Sequence, residues 1–136
     1  MRKPLGADQT VTLTHIIRKG TVSESYTTIL SAVSCHEVSS AHVETPGFAR
    51  REQTTFCIFP HHSTAVPSGA AERPNPAGDT FITPEAFKAA EAAFRGCRWT
   101  LALEDKVLLP SGRTGTVTSI QDNRSGHCPH WYVEVS

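Results

Sequence analysis

The sequence has no excess of charge of either sign: 13 lysines and arginines balance 13 aspartates and glutamates. A chain that binds nucleic acid over its whole surface carries a basic surplus, because affinity comes from neutralising phosphates. That class is disfavoured, and only local patches such as Arg50 with Arg51 are left to it. No apolar run follows the opening MRKPLGADQT, so no secretory signal is expected. No stretch approaches the ~20 apolar residues that span a bilayer. These absences predict a soluble chain made in a cytosol, with no membrane partner. Cys35, Cys57, Cys97 and Cys128 form no C-x-x-C pair, which argues against zinc-ribbon and redox motifs and for free thiols. There is no G-x-S-x-G elbow and no G-x-x-x-x-G-K phosphate loop. Internal repeats are also missing.

What is present is enough for a packed core: 38% of residues are hydrophobic and 19% charged, outside the disordered range. A length of 136 residues suits a single domain over 1–136, burying on the order of two-thirds of its unfolded surface. In VTLTHIIRK, Val11, Leu13, His15 and Ile17 alternate with the intervening residues, and YTTILSAVS is a second β-favouring run. Together they predict a hairpin over 11–34. A looser region follows from Cys35 to Arg51. Strand 53–59, QTTFCIF, puts Phe56 and Ile58 on one face and Thr55, Cys57 and Phe59 on the other. Both faces are largely apolar, which predicts burial on two sides or an interface on one. Residues 60–80, with Pro67, Pro74, Pro76, Gly69 and Gly78, read as a long exposed loop or arm.

Thr83, Pro84 and Glu85 form a helix start, Phe87, Ala90 and Phe94 form one apolar stripe, and Gly96 stands at a C-terminal cap position. They predict one helix over 84–95. A C-terminal meander over 99–135 follows, with strands near Trp99–Leu103, Lys106–Leu109, Thr114–Gln121 and His130–Val135. The expected fold class is therefore α+β, mostly β: a small antiparallel barrel or sandwich of the SH3-like kind, with one helix and a long exposed loop.

Seven histidines prompt a metal test. His127, Cys128 and His130 are close enough in sequence to share a metal with Cys57 or His61, but none has finger spacing. Cys57 is better read as a core residue, and His61 and His62 as solvated. Ser111-Gly112 and Ser125-Gly126 belong to turns, where Ser and Gly serve the backbone. The expectation is no metal, no cofactor and no catalytic residue. A nucleic-acid-binding barrel is the alternative with physical content, using Arg113 and Arg124 as cations and Trp131 as a stacking platform.

The closing segment DNRSGHCPHWYVEV resembles that of a family of small phage and prophage structural proteins, often labelled minor capsid proteins. The shared pattern is D-N-R-x-G, a short insert, then H-W and a final strand. FITPEAFKAAEAAFRGCRWTLALEDKVLLPSG is similar to their helix, aromatic strand, acidic turn and hydrophobic strand. YTTILSAVSCHEVSS and QTTFCIFP are similar to their front portion, so the likeness in order covers nearly the whole chain. Two departures are the longer proline-bearing loop and the ending Glu134-Val135-Ser136, where relatives finish with Gly and Lys. The resemblance implies a virion component made in the bacterial host cytoplasm: a head–tail connector, head-closure or adaptor subunit. A tail-completion or other minor tail or capsid protein is the nearest alternative. It implies a ring-like homo-oligomer that contacts neighbouring virion proteins on the portal or adaptor side and on the tail side. Passive contact with packaged DNA belongs to the same picture. Under that resemblance the structural or interface candidates are Asp122, Asn123, Arg124, Gly126, His130 and Trp131. Asp122 and Asn123 would shape the last hairpin, with Gly126 at positive φ. Arg124 would help there or reach a neighbouring subunit, His130 would hold the corner by a ring hydrogen bond, and Trp131 would anchor the final strand.

Overall fold

The computed structural model describes residues 6–37, 54–68 and 74–136. The loose region after Glu37, Arg50 with Arg51, and the 69–73 part of the expected loop lie outside the described residues. The chain opens with the predicted hairpin. Strand β1 (Gln9–Lys19) and β2 (Val22–His36) pair antiparallel from Lys19↔Val22 outward. Alternation drives it: Val11, Leu13 and Ile17 of β1 and Leu30 and Val33 of β2 point into the core, while the β-branched threonines between them suit a pleated, half-solvated surface.

Strand β3 (Thr54–Ile58) and β4 (Thr64–Pro67) both lie along the other edge of β2. Ser34 pairs with Cys57 and Ser31 with Thr64, so a short step along β2 matches a longer one opposite, and the Phe59–Ser63 turn is looped out between them. The buried Ser63 hydroxyl ties this turn down. It accepts from the Phe59 N–H at 2.9 Å and donates to the Ala32 carbonyl at 2.8 Å. Ala32 is itself a bulge. Gln9 pairs with Val33 and Thr10 with Ser31, which leaves Ala32 unmatched at φ 58, a left-handed conformation that bends a strand.

The remaining strands are β5 (Asn75–Pro76), β6 (Lys106–Leu108), β7 (Thr114–Asp122) and β8 (Trp131–Val135). The sheet order is β1-β6-β7-β8-β3-β2, closed by β1–β2, with β4 and β5 attached outside β2. This is a closed six-stranded antiparallel barrel with short helices, mostly β as the alternation predicted. The β6–β7 turn needs Gly112, which sits at φ 93. Gly115 lets the backbone approach the last strand, since a Cβ there would overlap a Val135 methyl.

Three expectations are corrected. The 60–80 segment is not simply an exposed arm: it holds β4, β5 and helix α1 (Ala77–Thr80), and Ser63, Ala65 and Ala77 are buried. Proline composition hid β4 because its pairing with β2 is long-range. Trp99–Leu103 forms no strand, only an isolated bridge from Trp99 to Phe81. The helix over 84–95 is two pieces, α2 (Pro84–Ala89) and α3 (Ala92–Arg95). Thr83 caps α2 as predicted, accepting from the Ala86 N–H. However, Ala90 and Glu91 are extended, and Phe94 is 45% exposed instead of facing the core.

Arg95 explains the break. Its guanidinium is buried, and it donates to the Lys88 and Ala90 carbonyls that an unbroken helix would have consumed. It also donates to the Tyr26 hydroxyl at 2.9 Å and pairs with Glu24 at 3.3 Å. A charge-assisted bond to each partner outweighs one lost helical turn. Phe87 packs beneath, edge-on to Tyr26 and His15.

Trp99, Trp131 and Phe81 form the aromatic centre of the core, with ring centroids 4.9–5.4 Å apart. The Trp99 indole N–H is satisfied by the Ala77 carbonyl at 2.8 Å, which fastens α1 to the barrel. Such pairs contribute about 0.5–1.5 kcal/mol each beyond area burial.

Truncating Arg95 takes the donor from the Lys88 and Ala90 carbonyls and from Tyr26, whose hydroxyl keeps its own bond to Glu24. Arg95→Ala is expected to cost about 2–4 kcal/mol in urea unfolding. A loss below about 1 kcal/mol would show that the guanidinium does not hold the broken helix.

Candidate functional site

Two constellations bring polar chemistry together. The first is the closing hairpin, where the structure gathers the residues singled out in the sequence. Asp122 ends β7 and accepts from the Arg124 N–H at 3.2 Å, an Asx turn, and from the guanidinium at 2.8 and 2.6 Å. This bidentate fork holds the Asp122 carboxyl below its ordinary range and the Arg124 guanidinium above its own. The Arg124 guanidinium carbon then lies over the Trp131 and Phe81 rings, 4.7 and 4.9 Å from their centroids. Asn123 and His130 close the hairpin through both backbone groups. The His130 ring lies 2.7 Å from the Cys128 carbonyl at Nδ1 and 3.3 Å from the Asn123 amide at Nε2. One tautomer serves both contacts: Nδ1–H donates to the carbonyl and Nε2 accepts from the amide.

Gly126 departs from its expected role. It is not at positive φ; its N–H donates to the Asn123 carbonyl in an ordinary turn. Arg124 folds back on its own hairpin. Trp131 is 1% exposed, so its faces are not an open platform for bases. Arg113 pairs with Glu37 at 3.2 Å. The Ser111 N–H and hydroxyl also donate to Glu37 and, more than the arginine, keep its carboxyl below the usual range. The two cations and the indole proposed as a nucleic-acid surface are therefore each engaged within the fold.

Among the described residues no group of three or more His, Cys, Asp or Glu converges as metal ligands would. Cys35 and Cys57 are half-buried free thiols, and Cys97 and Cys128 are exposed. Burial pushes the Cys35 thiol up to about 11, with Glu37 adding to the rise. It raises Cys57 as well, so neither is an activated nucleophile.

The second constellation was not visible in the sequence. His15 of β1 and Asp105, just before β6, are 90 positions apart and meet at 2.7 Å between Nδ1 and Oδ1. Asp105 is 4% exposed, and its other oxygen accepts from the Ala102 N–H at 2.9 Å. Burial raises its carboxyl pKa, partly offset by the His15 and Ala102 donors. With Asp105 ionised, Nδ1 carries the hydrogen and Nε2 is the remaining nitrogen.

This pair lies at the floor of an open groove of about 520 Å³. One wall is β1 from His15 to Arg18, and the other is the Leu103–Lys106 turn with Thr116. Pro84 and Lys88 of α2 close one end. Glu104 sits there at φ 72, a left-handed turn held by its N–H bond to the Val117 carbonyl at 2.8 Å. That turn carries Leu103 out to 59% exposure. The one sequence-level clue was His15 itself, a histidine in phase with the inward Val11, Leu13 and Ile17.

Asp105 has its pKa raised on folding, so its contribution to stability is full below about 3.8 and is lost as pH rises through the folded value. Asp105→Asn keeps an acceptor for the Ala102 N–H and removes the titration. Thermal melts from pH 3 to pH 7 are expected to lose that component of decline in the variant. Identical pH profiles for the two proteins would contradict a buried, titrating Asp105. No protein-family model, curated protein or solved structure matches this chain.

Proposed function

We propose that this chain is a non-enzymatic structural subunit of a tailed-phage particle. Its place is the head–tail junction, as a connector, head-closure or adaptor component. There it assembles as a ring of copies and grips neighbouring virion proteins on the portal and tail sides. One observation carries the reading. The residues that bear the sequence resemblance, Asp122-Asn123-Arg124 and His130-Trp131, spend their hydrogen bonds and ring contacts on one another and on the core. They build a stiff corner, which is a mechanical role. Residues selected for chemistry converge on an open cleft instead.

The His15–Asp105 pair does not argue for a hydrolase. A triad needs a hydroxyl or thiol against the outer nitrogen, and no described side chain makes that bond to His15 Nε2. A nucleic-acid module has less support, because Arg113 and Arg124 are ion-paired and Trp131 is buried. A tail-completion role would use the same assembling surfaces and differs only in position along the particle.

Immunogold labelling of purified particles with antibody to this chain tests the assignment. Label is expected at a single vertex, where the tail joins the head. Label along the tail would favour the tail-completion role, and its absence from particles would overturn a virion role altogether.

A further inference from the structure

Strand β6 is short. It pairs with β1 only at Thr12, Leu13 and Thr14, whereas β2 follows β1 out to Lys19. Beyond Thr14, the edge of β1 that faces the groove has no partner strand among the described residues. An open edge presents unpaired N–H and C=O groups, a template for another chain.

The same groove sets three cations against two carboxylates. Arg95, Arg113 and Arg124 each pair with a carboxylate, and Arg98 lies over the Phe94 ring. Arg18, Lys88 and Lys106 have no carboxylate partner among the described residues, and all three line the groove. Lys106 only donates to the Thr116 hydroxyl at 3.0 Å. Against them stand the exposed Glu104 and the buried Asp105, which is hydrogen-bonded to His15 and the Ala102 N–H. Two aliphatic side chains, Ile16 at 39% and Leu103 at 59% exposure, flank the cations.

We infer that this groove binds an extended acidic peptide segment of another protein, which adds as a strand to the free edge of β1 at His15–Arg18. Main-chain pairing supplies the register, Arg18, Lys88 and Lys106 receive its carboxylates, and an aliphatic side chain sits between Ile16 and Leu103. An acidic peptide fits better than nucleic acid. The flanking side chains are aliphatic, not stacking aromatics, and a phosphate backbone can use only the N–H groups of a strand edge, whereas a peptide strand pairs with its N–H and C=O groups alike. The inference does not depend on the virion reading.

The test uses the full chain and a labelled synthetic peptide of about a dozen residues, glutamate-rich with a central Val-Leu, followed by fluorescence anisotropy. Saturable binding is expected. Lys88→Glu and Arg18→Glu should each weaken it roughly three- to tenfold without lowering the melting temperature, since both side chains are exposed. Bound peptide should slow amide exchange at Ile16–Arg18. A glutamate peptide without the aliphatic pair should bind more weakly. Absence of binding, binding indifferent to both reversals, or unchanged exchange along β1 would overturn the inference. So would tighter binding of oligothymidine lost in the same variants, or self-association of the chain abolished by them.

Discussion

The bend at Ala32 is the constraint on which the rest of the architecture depends. A closed barrel needs one strand to serve both ends of the sheet, and β2 does so by pairing with β1 along one edge and with β3 and β4 along the other. A strand that long cannot stay in both ladders without a local break in register. Ala32 provides it at φ 58, and the buried Ser63 hydroxyl fixes it by bonding across to the Ala32 carbonyl. Residues before the bend pack with β1 and β4, and residues after it pack with β3. The tryptophan pair fills the interior that closure creates.

Closure also decides where the open surface falls. Because β6 is short while β1 and β2 are long, the barrel wall is complete around Thr12–Thr14 and incomplete beyond. Helix α2 lies near that gap, and Arg95 holds the break after it in place. The ion pairs follow the same division. Glu37, just after the end of β2, joins Arg113 of the β6–β7 turn, while Asp122 with Arg124 stays within the closing hairpin. The cations left over gather where the wall is unfinished. A chain with no net charge thus presents a locally basic groove, and whole-chain charge is a poor guide to its partners.

Much of the barrel was legible from local pattern. Period-two alternation in 11–17 and 114–121, together with turn residues such as Gly112, marked strands whose inward faces are now buried. What escaped was set at long range. Strand β4 ends in Pro67 and pairs with the distant β2 as well as with β5. The helix breaks at Ala90 because Arg95 finds Tyr26 and Glu24 on a distant strand, while its local sequence favours continuity. Of the hairpin residues, Trp131 and His130 stand in the roles their types suggested, whereas Gly126 adopts a conformation any residue can take. His15 and Asp105 gave no joint signal, since nothing in either neighbourhood names a partner 90 residues away.

The proposed role needs stiffness in one place and an unfinished surface in another. Here the tied-down closing hairpin supplies the first and the free edge of β1 the second. The most direct test is an experimental structure of the chain within its native assembly, resolved to side chains. The expected result is a foreign polypeptide strand alongside His15–Arg18, with acidic side chains against Lys88 and Lys106. A bare β1 edge facing solvent in the assembled state, with every intermolecular contact made elsewhere, would contradict it.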